Sequence, residues 1–133
     1  MSAPFRRARS EDGQAMVEFA IVLPFLCVLV LGILQFGITL NNYLTITDAA
    51  RVGARQAVVT RLGGSTIDEA RAAVVTAAGS LDTSKLEVYV ESPDWTAAGS
   101  EVVVTAKYPY EVNLLGWVVA SGDLTSSITE RLE

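Results

Sequence analysis

The chain has 133 residues, of which 50% are hydrophobic, and its formal net charge at pH 7 is −5. This length allows one small domain and one further element. Because the acidic balance leaves no basic patch in the C-terminal part, nucleic-acid binding has no electrostatic support. The sequence contains no histidine, which excludes histidine-based catalysis and removes the commonest metal ligand.

The first elements in chain order are a short polar segment, residues 1–13, and an apolar run that follows it. No charged or strongly polar side chain occurs from Phe19 to Leu34, and the run continues to Leu40. A helix needs about 20 apolar residues to span a bilayer. Residues 14–40 are therefore predicted to form a transmembrane helix in contact with the lipid bilayer.

This apolar run is interpreted as a retained anchor rather than a cleaved secretory signal, whose apolar core is only about 7–15 residues long. Arg6, Arg7 and Arg9 precede it. The positive-inside rule then places the N-terminus in the cytoplasm and residues 41–133 outside a bacterial cytoplasmic membrane. The only cysteine, Cys27, lies inside the run, so the exported part can form no disulfide.

The helix is predicted to continue beyond the membrane, from about Gln14 to Arg61, with an interruption and a kink at Pro24. Ala49, Gly53 and Ala57 are spaced at i, i+4 and i+8 in the projecting half. Such small residues allow another backbone to approach closely. The approaching element is either the chain's own domain or a neighbouring subunit, and the two interpretations are compatible.

A second helix is predicted over residues 66–80, after the break at "LGGS". Thr66 and Glu69 have the spacing of a capping box, and Gly79 marks the end of the helix. The predicted apolar stripe consists of Ile67, Ala70, Val74 and Ala77.

Three segments alternate like strands, namely "KLEVYVES" (85–92), "EVVVTAKY" (101–108) and "DLTSSITERLE" (123–133). A hairpin-length loop joins the first two, which are therefore predicted to be antiparallel neighbours. Residues 109–122 are predicted to be a longer apolar connection that lies against the core or the membrane surface. The expected fold class is α+β, in which a long transmembrane and projecting helix and a short helix accompany a three-stranded antiparallel sheet.

The residues offer no catalytic, cofactor-binding or metal-binding constellation. Neither a phosphate-binding loop nor a dinucleotide fingerprint nor a cysteine-based zinc spacing is present. We therefore expect a protein that is not an enzyme and has no cofactor. Trp95 and Trp117 lie in predicted loops, where each is either a core-edge or membrane-interface aromatic residue or a contact with a partner.

One constellation does suggest chemistry, namely Gly13 followed by Glu18 at the start of the apolar run. If a membrane peptidase cuts after Gly13, Gln14 gains a new ammonium group one helical turn from Glu18. In a bundle, the carboxylate of one subunit could neutralise the amine of its neighbour, and leaving either charge alone would be costly. The alternative is a glutamate near the cytoplasmic interface whose side chain extends to water.

Together these segments resemble the TadE-like proteins of tight-adherence (Flp) pilus systems, which are similar to type IV pilin precursors. The resemblance rests on the start "GQAMVEFAIVLPF" (13–25), "GILQFG" (32–37) and "AARVGAR" (49–55). Further similar segments are "VVVTAKYPYEV" (102–112) and the closing "LTSSITERLE" (124–133).

The resemblance implies a structural assembly protein, a minor pilin or pseudopilin that acts at the initiation or the tip of a pilus. It implies cleavage by a prepilin peptidase after Gly13, with Gln14 as the new N-terminus and Glu18 used for processing or subunit alignment. The implied partners are other pilin subunits and the membrane platform of the pilus machine. The alternative is an uncleaved, membrane-anchored module that recruits a protein through Trp95 and Trp117.

Overall fold

The computed structural model describes residues 8–61, 67–92, 97 and 99–131. They form helix α1 (Ala8–Arg61), helix α2 (Ile67–Ala77), a 3-10 helix (Thr83–Lys85) and strands β1 (Glu87–Glu91), β2 (Glu101–Leu114) and β3 (Trp117–Arg131). The strands make one antiparallel sheet in the order β1-β2-β3. The predicted α+β fold of a long helix, a short helix and a three-stranded sheet is confirmed.

Helix α1 is continuous over 54 residues, which corresponds to a length of about 80 Å. It begins at Ala8 rather than at about Gln14. Residues 8–13, the end of the polar segment that the resemblance implies is a cleaved leader, are therefore helical as well. The helix continues through Pro24, and the kink expected there stays a prediction. A proline removes one backbone hydrogen bond, and the hydrogen bonds on either side of it maintain the helix.

The two halves of α1 have different surroundings. Every residue from 13 to 30 is exposed. In the second half, by contrast, one face of the helix is buried by the rest of the chain. The buried residues of this face are Ile46, Ala49, Ala50, Gly53, Ala54 and Ala57. The domain therefore encloses one half of the helix and leaves the other half free.

The hydrophobic core lies between the second half of α1, helix α2 and strand β2. Beyond the α1 residues, it contains Ala70, Val74, Ala78, Val102, Val104 and Ala106. Seven of its eleven members are alanine. Because alanine side chains are short, the three elements approach closely, and dense packing rather than large apolar area holds them together.

The closest approach between the helices is at Gly53. A Cβ atom at this position would overlap Val74 Cγ2 and lie 3.2 Å from the carbonyl oxygen of Ala70. Only glycine therefore fits here without displacing α2. The small residues predicted for close approach are thus used for packing within the chain's own domain.

Helix α2 places part of its predicted stripe in the core. Ala70 and Val74 are buried, whereas Ile67 and Ala77 are exposed. Ala78 is buried instead of Ala77, because the stripe continues at a spacing of four residues rather than three. The helix ends at Ala77, and Gly79 lies in the following turn. The predicted cap Thr66 lies outside the described residues.

Strands β1 and β2 are antiparallel neighbours, as predicted. Their pairing extends from Glu87 opposite Lys107 to Glu91 opposite Val103. Within the described residues, β2 has no partner on this edge beyond Lys107. The rest of β2, including Pro109, therefore has one open edge, which is where a proline is tolerated in a strand.

The predicted long connection over residues 109–122 is wrong. Strands β2 and β3 remain paired from Glu101 opposite Arg131 to Leu114 opposite Trp117. Only Leu115 and Gly116 form the turn between them. Pro109 and the nearly continuous apolar residues after it conceal the alternation of a strand, and Leu-Gly is not a typical hairpin turn sequence.

Substitution of Gly53 tests the close packing of α1 on α2. We expect Gly53→Ala to lower the free energy of unfolding by up to about 2 kcal/mol in net terms, because overpacking usually costs about 1–3 kcal/mol. This cost outweighs the gain in helix propensity from glycine to alanine, which is about 1 kcal/mol. Urea denaturation of the full chain in detergent, followed by near-ultraviolet circular dichroism, measures the change.

The matched control is Gly37→Ala, because a Cβ atom at Gly37 would have no neighbour within 4 Å. This variant should be as stable as the parent chain or slightly more stable. Equal stability of the two variants would contradict the packing described for Gly53.

Candidate functional site

The predicted processing residues lie together on the free half of α1. Gln14 Nε2 donates a hydrogen bond to Glu18 Oε1 at 3.1 Å, so the two side chains share one face of the helix. Both are exposed. A Cβ atom at Gly13 would meet no atom within 4 Å. Packing within the chain therefore does not explain the glycine at this position.

The free half of α1 exposes a continuous apolar surface. Phe19, Ile21 and Phe25 are each more than half exposed, and Pro24 and Cys27 belong to the same exposed surface. Within the described residues, one helix is long and apolar enough to cross a membrane, over Gly13–Val59. Monomeric soluble proteins rarely expose so large an apolar area, which favours burial in lipid or against other helices.

The small residues predicted for subunit packing lie elsewhere, in the half of α1 that the domain encloses. Ala49, Gly53 and Ala57 are buried against the chain's own elements. The polar face beside them carries a salt bridge between Asp48 Oδ1 and Arg51 Nη1 at 3.5 Å. This exposed pair contributes little to stability. Contact of these residues with another subunit stays a prediction.

Of the two tryptophans, Trp95 lies outside the described residues. Trp117 is the first residue of β3 and is 81% exposed. It therefore does not belong to the core edge. Its position at the end of the hairpin, rather than in a long loop, could not be derived from the sequence because the hairpin itself was not predicted.

One contact that sequence reasoning missed joins the hairpin to α1. Gln35 Nε2 donates a hydrogen bond to the backbone oxygen of Asn113 at 3.2 Å. The two residues are 78 positions apart, so no local pattern links them. The sequence feature that could have indicated this contact is the isolated amide of Gln35 within a run of apolar residues.

Two pKa shifts arise among the described residues of the C-terminal domain, and both have local causes. The pKa of Asp82 is lowered because its carboxylate accepts hydrogen bonds from the hydroxyl and the backbone N–H of Ser84. The pKa of Tyr89 is raised because its hydroxyl donates to Glu87 and lies beside that carboxylate. Both groups lie on the surface.

The described part of the chain brings no three histidine, cysteine, aspartate or glutamate residues together in an arrangement that could hold a metal ion. The geometry instead defines an arrangement in which a small α+β domain encloses one half of a long helix and leaves an apolar half free.

Comparison with known proteins adds a family relationship. The model of the family described as TadE-like protein matches residues 13–55, about a third of the chain. No curated protein and no solved structure matches the chain. The TadE-like resemblance is confirmed for this segment, which contains the processing residues, the apolar run and "AARVGAR". The match indicates a protein related to the tight-adherence pilus, and the TadE-like family is a family of structural, pilus-associated proteins.

Cys27 allows a direct test of membrane insertion, because it is the only cysteine in the sequence. We expect a water-soluble maleimide to leave Cys27 unlabelled in intact membranes and to label it after detergent is added. A hydrocarbon environment keeps the water-soluble reagent away from the thiol. Labelling is read by intact-mass measurement.

The control is Ser80→Cys in a Cys27→Ser background, since Ser80 is exposed in the turn after α2. This variant should be labelled in spheroplasts without detergent if the domain is exported. Labelling of Cys27 in intact membranes would contradict the membrane span.

Proposed function

We propose that this chain is a structural assembly protein, a minor pilin or pseudopilin of a tight-adherence pilus. It is anchored in the cytoplasmic membrane through α1, carries its α+β domain outside, and enters the pilus at initiation or at the tip. The observation that carries the proposal is the exposed apolar half of α1, because it coincides with the TadE-like segment that starts at Gly13.

Processing at Gly13 is supported by the local properties of the helix. Glycine has the lowest helix propensity after proline, about 1 kcal/mol less favourable than alanine. The helix is therefore most easily opened for a prepilin peptidase next to Gly13, where no side chain from the rest of the chain intervenes. Cleavage there would remove residues 1–13 with Arg6, Arg7 and Arg9.

The product would place a new ammonium group on Gln14 at the N-terminus of α1. The Gln14 side chain already reaches Glu18 at 3.1 Å, so both groups occupy one end and one face of the helix. A carboxylate near a helix N-terminus is stabilised by the helix dipole. In a bundle, Glu18 of one subunit would pair with the amine of the next subunit and fix the register between them.

The proposed partners are the prepilin peptidase, other pilin subunits and the membrane platform of the pilus machine. The free half of α1 would contact lipid before assembly and neighbouring helices afterwards, because both environments cover the same apolar surface. Pro24 lies within this surface. The carbonyl four residues before it loses its backbone donor and could be satisfied within a helix bundle.

A second candidate function is an uncleaved anchored module that recruits a protein partner. The observation in its favour is the exposure of Trp117 at the hairpin end, since tryptophan is enriched at binding hot spots. Persistence of the leader is the result that would favour this candidate over the pilin.

Processing is tested by intact-mass measurement of the protein from cells with and without the prepilin peptidase. We expect loss of Met1–Gly13 only where the peptidase is present. Gly13→Val should prevent the cut, because a branched side chain obstructs the peptide bond to be cleaved. Gly37→Val, the matched control in the same helix, should leave the cut intact. A leader that persists in the presence of the peptidase would remove the main support for the pilin proposal.

The role of Glu18 is tested separately by pilus formation. Glu18→Ala and Glu18→Gln should both insert into the membrane, but both should reduce piliation at least about tenfold, because a buried amine without its partner is costly. The glutamine variant keeps hydrogen-bonding capacity and loses only the charge. Glu11→Ala is the control, since this acid is removed with the leader. Normal piliation of both Glu18 variants would show that the acid has no part in assembly.

A further inference from the structure

Among the described residues of the sheet, the end of the β2–β3 hairpin has the largest exposed apolar area. We call Leu115–Val119 the hairpin tip. Leu115 is 75% exposed and Trp117 is 81% exposed, and Val118 and Val119 are also more than half exposed. No charged residue occurs between Glu111 and Asp123. Such a cluster of uncharged, exposed side chains at a protruding end indicates a contact surface.

The turn contains a residue that is poorly suited to the turn conformation but suited to an apolar contact. Leu115 has φ 53° and Gly116 has φ 88°, the signs required of both central residues in a type I′ turn. Asparagine or aspartate usually occupies the first of these positions, because a bulky side chain is strained in the left-handed region. The strained conformation of Leu115 therefore suggests that its side chain has a function.

The position of the tip relative to α1 identifies its surroundings. Asn113 is held beside Gln35 by the hydrogen bond of 3.2 Å. Along α1, Leu31, Gly32, Gln35 and Thr39 are half-buried, whereas residues 13–30 are all exposed. This spacing of three to four residues marks one helix face. The chain therefore covers α1 as far as Leu31, which lies inside the apolar run Phe19–Leu34.

The turn lies about 7 Å beyond Asn113 along the strand, given about 3.3 Å per residue. Gln35 is the first strongly polar side chain after the apolar run Phe19–Leu34, and about 20 residues, enough to span the hydrocarbon, separate it from Gln14. We therefore place the boundary of the hydrocarbon at Gln35, so that residues 36–40 of the predicted membrane segment lie in the interface. A tip that passes this boundary by about 7 Å reaches a depth typical of amphipathic segments in the headgroup and acyl boundary, about 5–10 Å.

We propose that the hairpin tip is a second lipid-binding site, which enters the interface of the leaflet at the C-terminal end of the membrane span. This inference rests on the membrane anchoring in the proposed function. Leu115, Val118 and Val119 contact acyl chains, and the Trp117 indole lies at the headgroup level, where its N–H finds acceptors. The tip stays in the interface, because unpaired backbone groups of an open hairpin are not tolerated in hydrocarbon.

Lipid fits the tip better than a second copy of the chain or another protein. The tip adjoins the apolar surface of the proposed anchor, so insertion of α1 brings it to the bilayer without a further binding event. The tip also protrudes and carries no charge, whereas the rim of a protein interface is usually polar. A second contact would restrict rotation of the domain about the axis of α1.

The experiment uses the full chain in phosphatidylcholine–phosphatidylglycerol vesicles. Because the sequence has two tryptophans, Trp95→Phe leaves Trp117 as the only indole. We expect blue-shifted emission and at least about twofold quenching by lipids brominated near the headgroup end of the acyl chain, with weaker quenching by lipids brominated at the chain end. Trp117→Phe, which retains Trp95, gives the background signal.

Two variants separate lipid contact from folding. Leu115→Asn supplies a preferred turn residue, so the thermal midpoint should be unchanged or raised while the quenching falls by about half. Val118→Thr/Val119→Thr should likewise reduce quenching. The matched control is Val52→Thr/Val59→Thr, which alters two exposed valines on α1 away from the tip and should leave quenching unchanged.

Other outcomes overturn the inference in distinguishable ways. If Cys27 is protected from maleimide but Trp117 is quenched by aqueous iodide and not by brominated lipid, the anchor holds and the lipid-binding tip is wrong. If the blue shift depends on the protein-to-lipid ratio and bromine has no effect, the tip contacts a second copy instead. If Cys27 reacts in vesicles, both the anchor and the tip proposal fail.

Discussion

The contact between Gly53 of α1 and Val74 of α2 is the constraint on which the rest of the structure depends. Without a side chain at Gly53, α2 approaches the helix closely enough for a core made mostly of alanine to exclude water. Strand β2 closes the same core through Val102 and Val104. Because β2 is fixed there and runs back along α1, the far end of the hairpin is brought to Gln35. A small adjustment in the packed half of the helix would therefore move the hairpin at its other end.

Elements were predicted correctly from the sequence where a single pattern or spacing of residues dominated the segment. The apolar run after Phe19, the four-residue spacing of Ala49, Gly53 and Ala57, and the alternation of Val102 and Val104 each predicted their elements. The prediction failed over residues 109–122, because Pro109 and an apolar pattern on both faces hid two strand extensions, and a leucine occupied the turn. The contact of Gln35 with Asn113 was out of reach as well, since only the complete hairpin register brings these residues together.

The residues of the candidate site likewise divide into those that a local sequence pattern predicts and those that only the three-dimensional arrangement brings together. Gly13, Gln14 and Glu18 were found because their spacing is local, and the helix places the last two within hydrogen-bond distance. The neighbourhood of Trp117 required the three-dimensional arrangement. The predicted processing residues lie at one end of the apolar half of α1 and the hairpin tip lies towards the other. The two features of this chain that suggest recognition thus occur at opposite ends of the same exposed surface.

The short pairing of β1 has a consequence for contacts between copies of the chain. Strand β1 begins at Glu87 opposite Lys107, so the part of β2 after Lys107 presents an open edge within the described residues. Open edges can recruit strands from other molecules and start aggregation. Pro109 lies in this open section and removes one of the N–H groups that an added strand would need. The residue that obscured the strand in the sequence is therefore also one that restricts pairing of this edge with another chain.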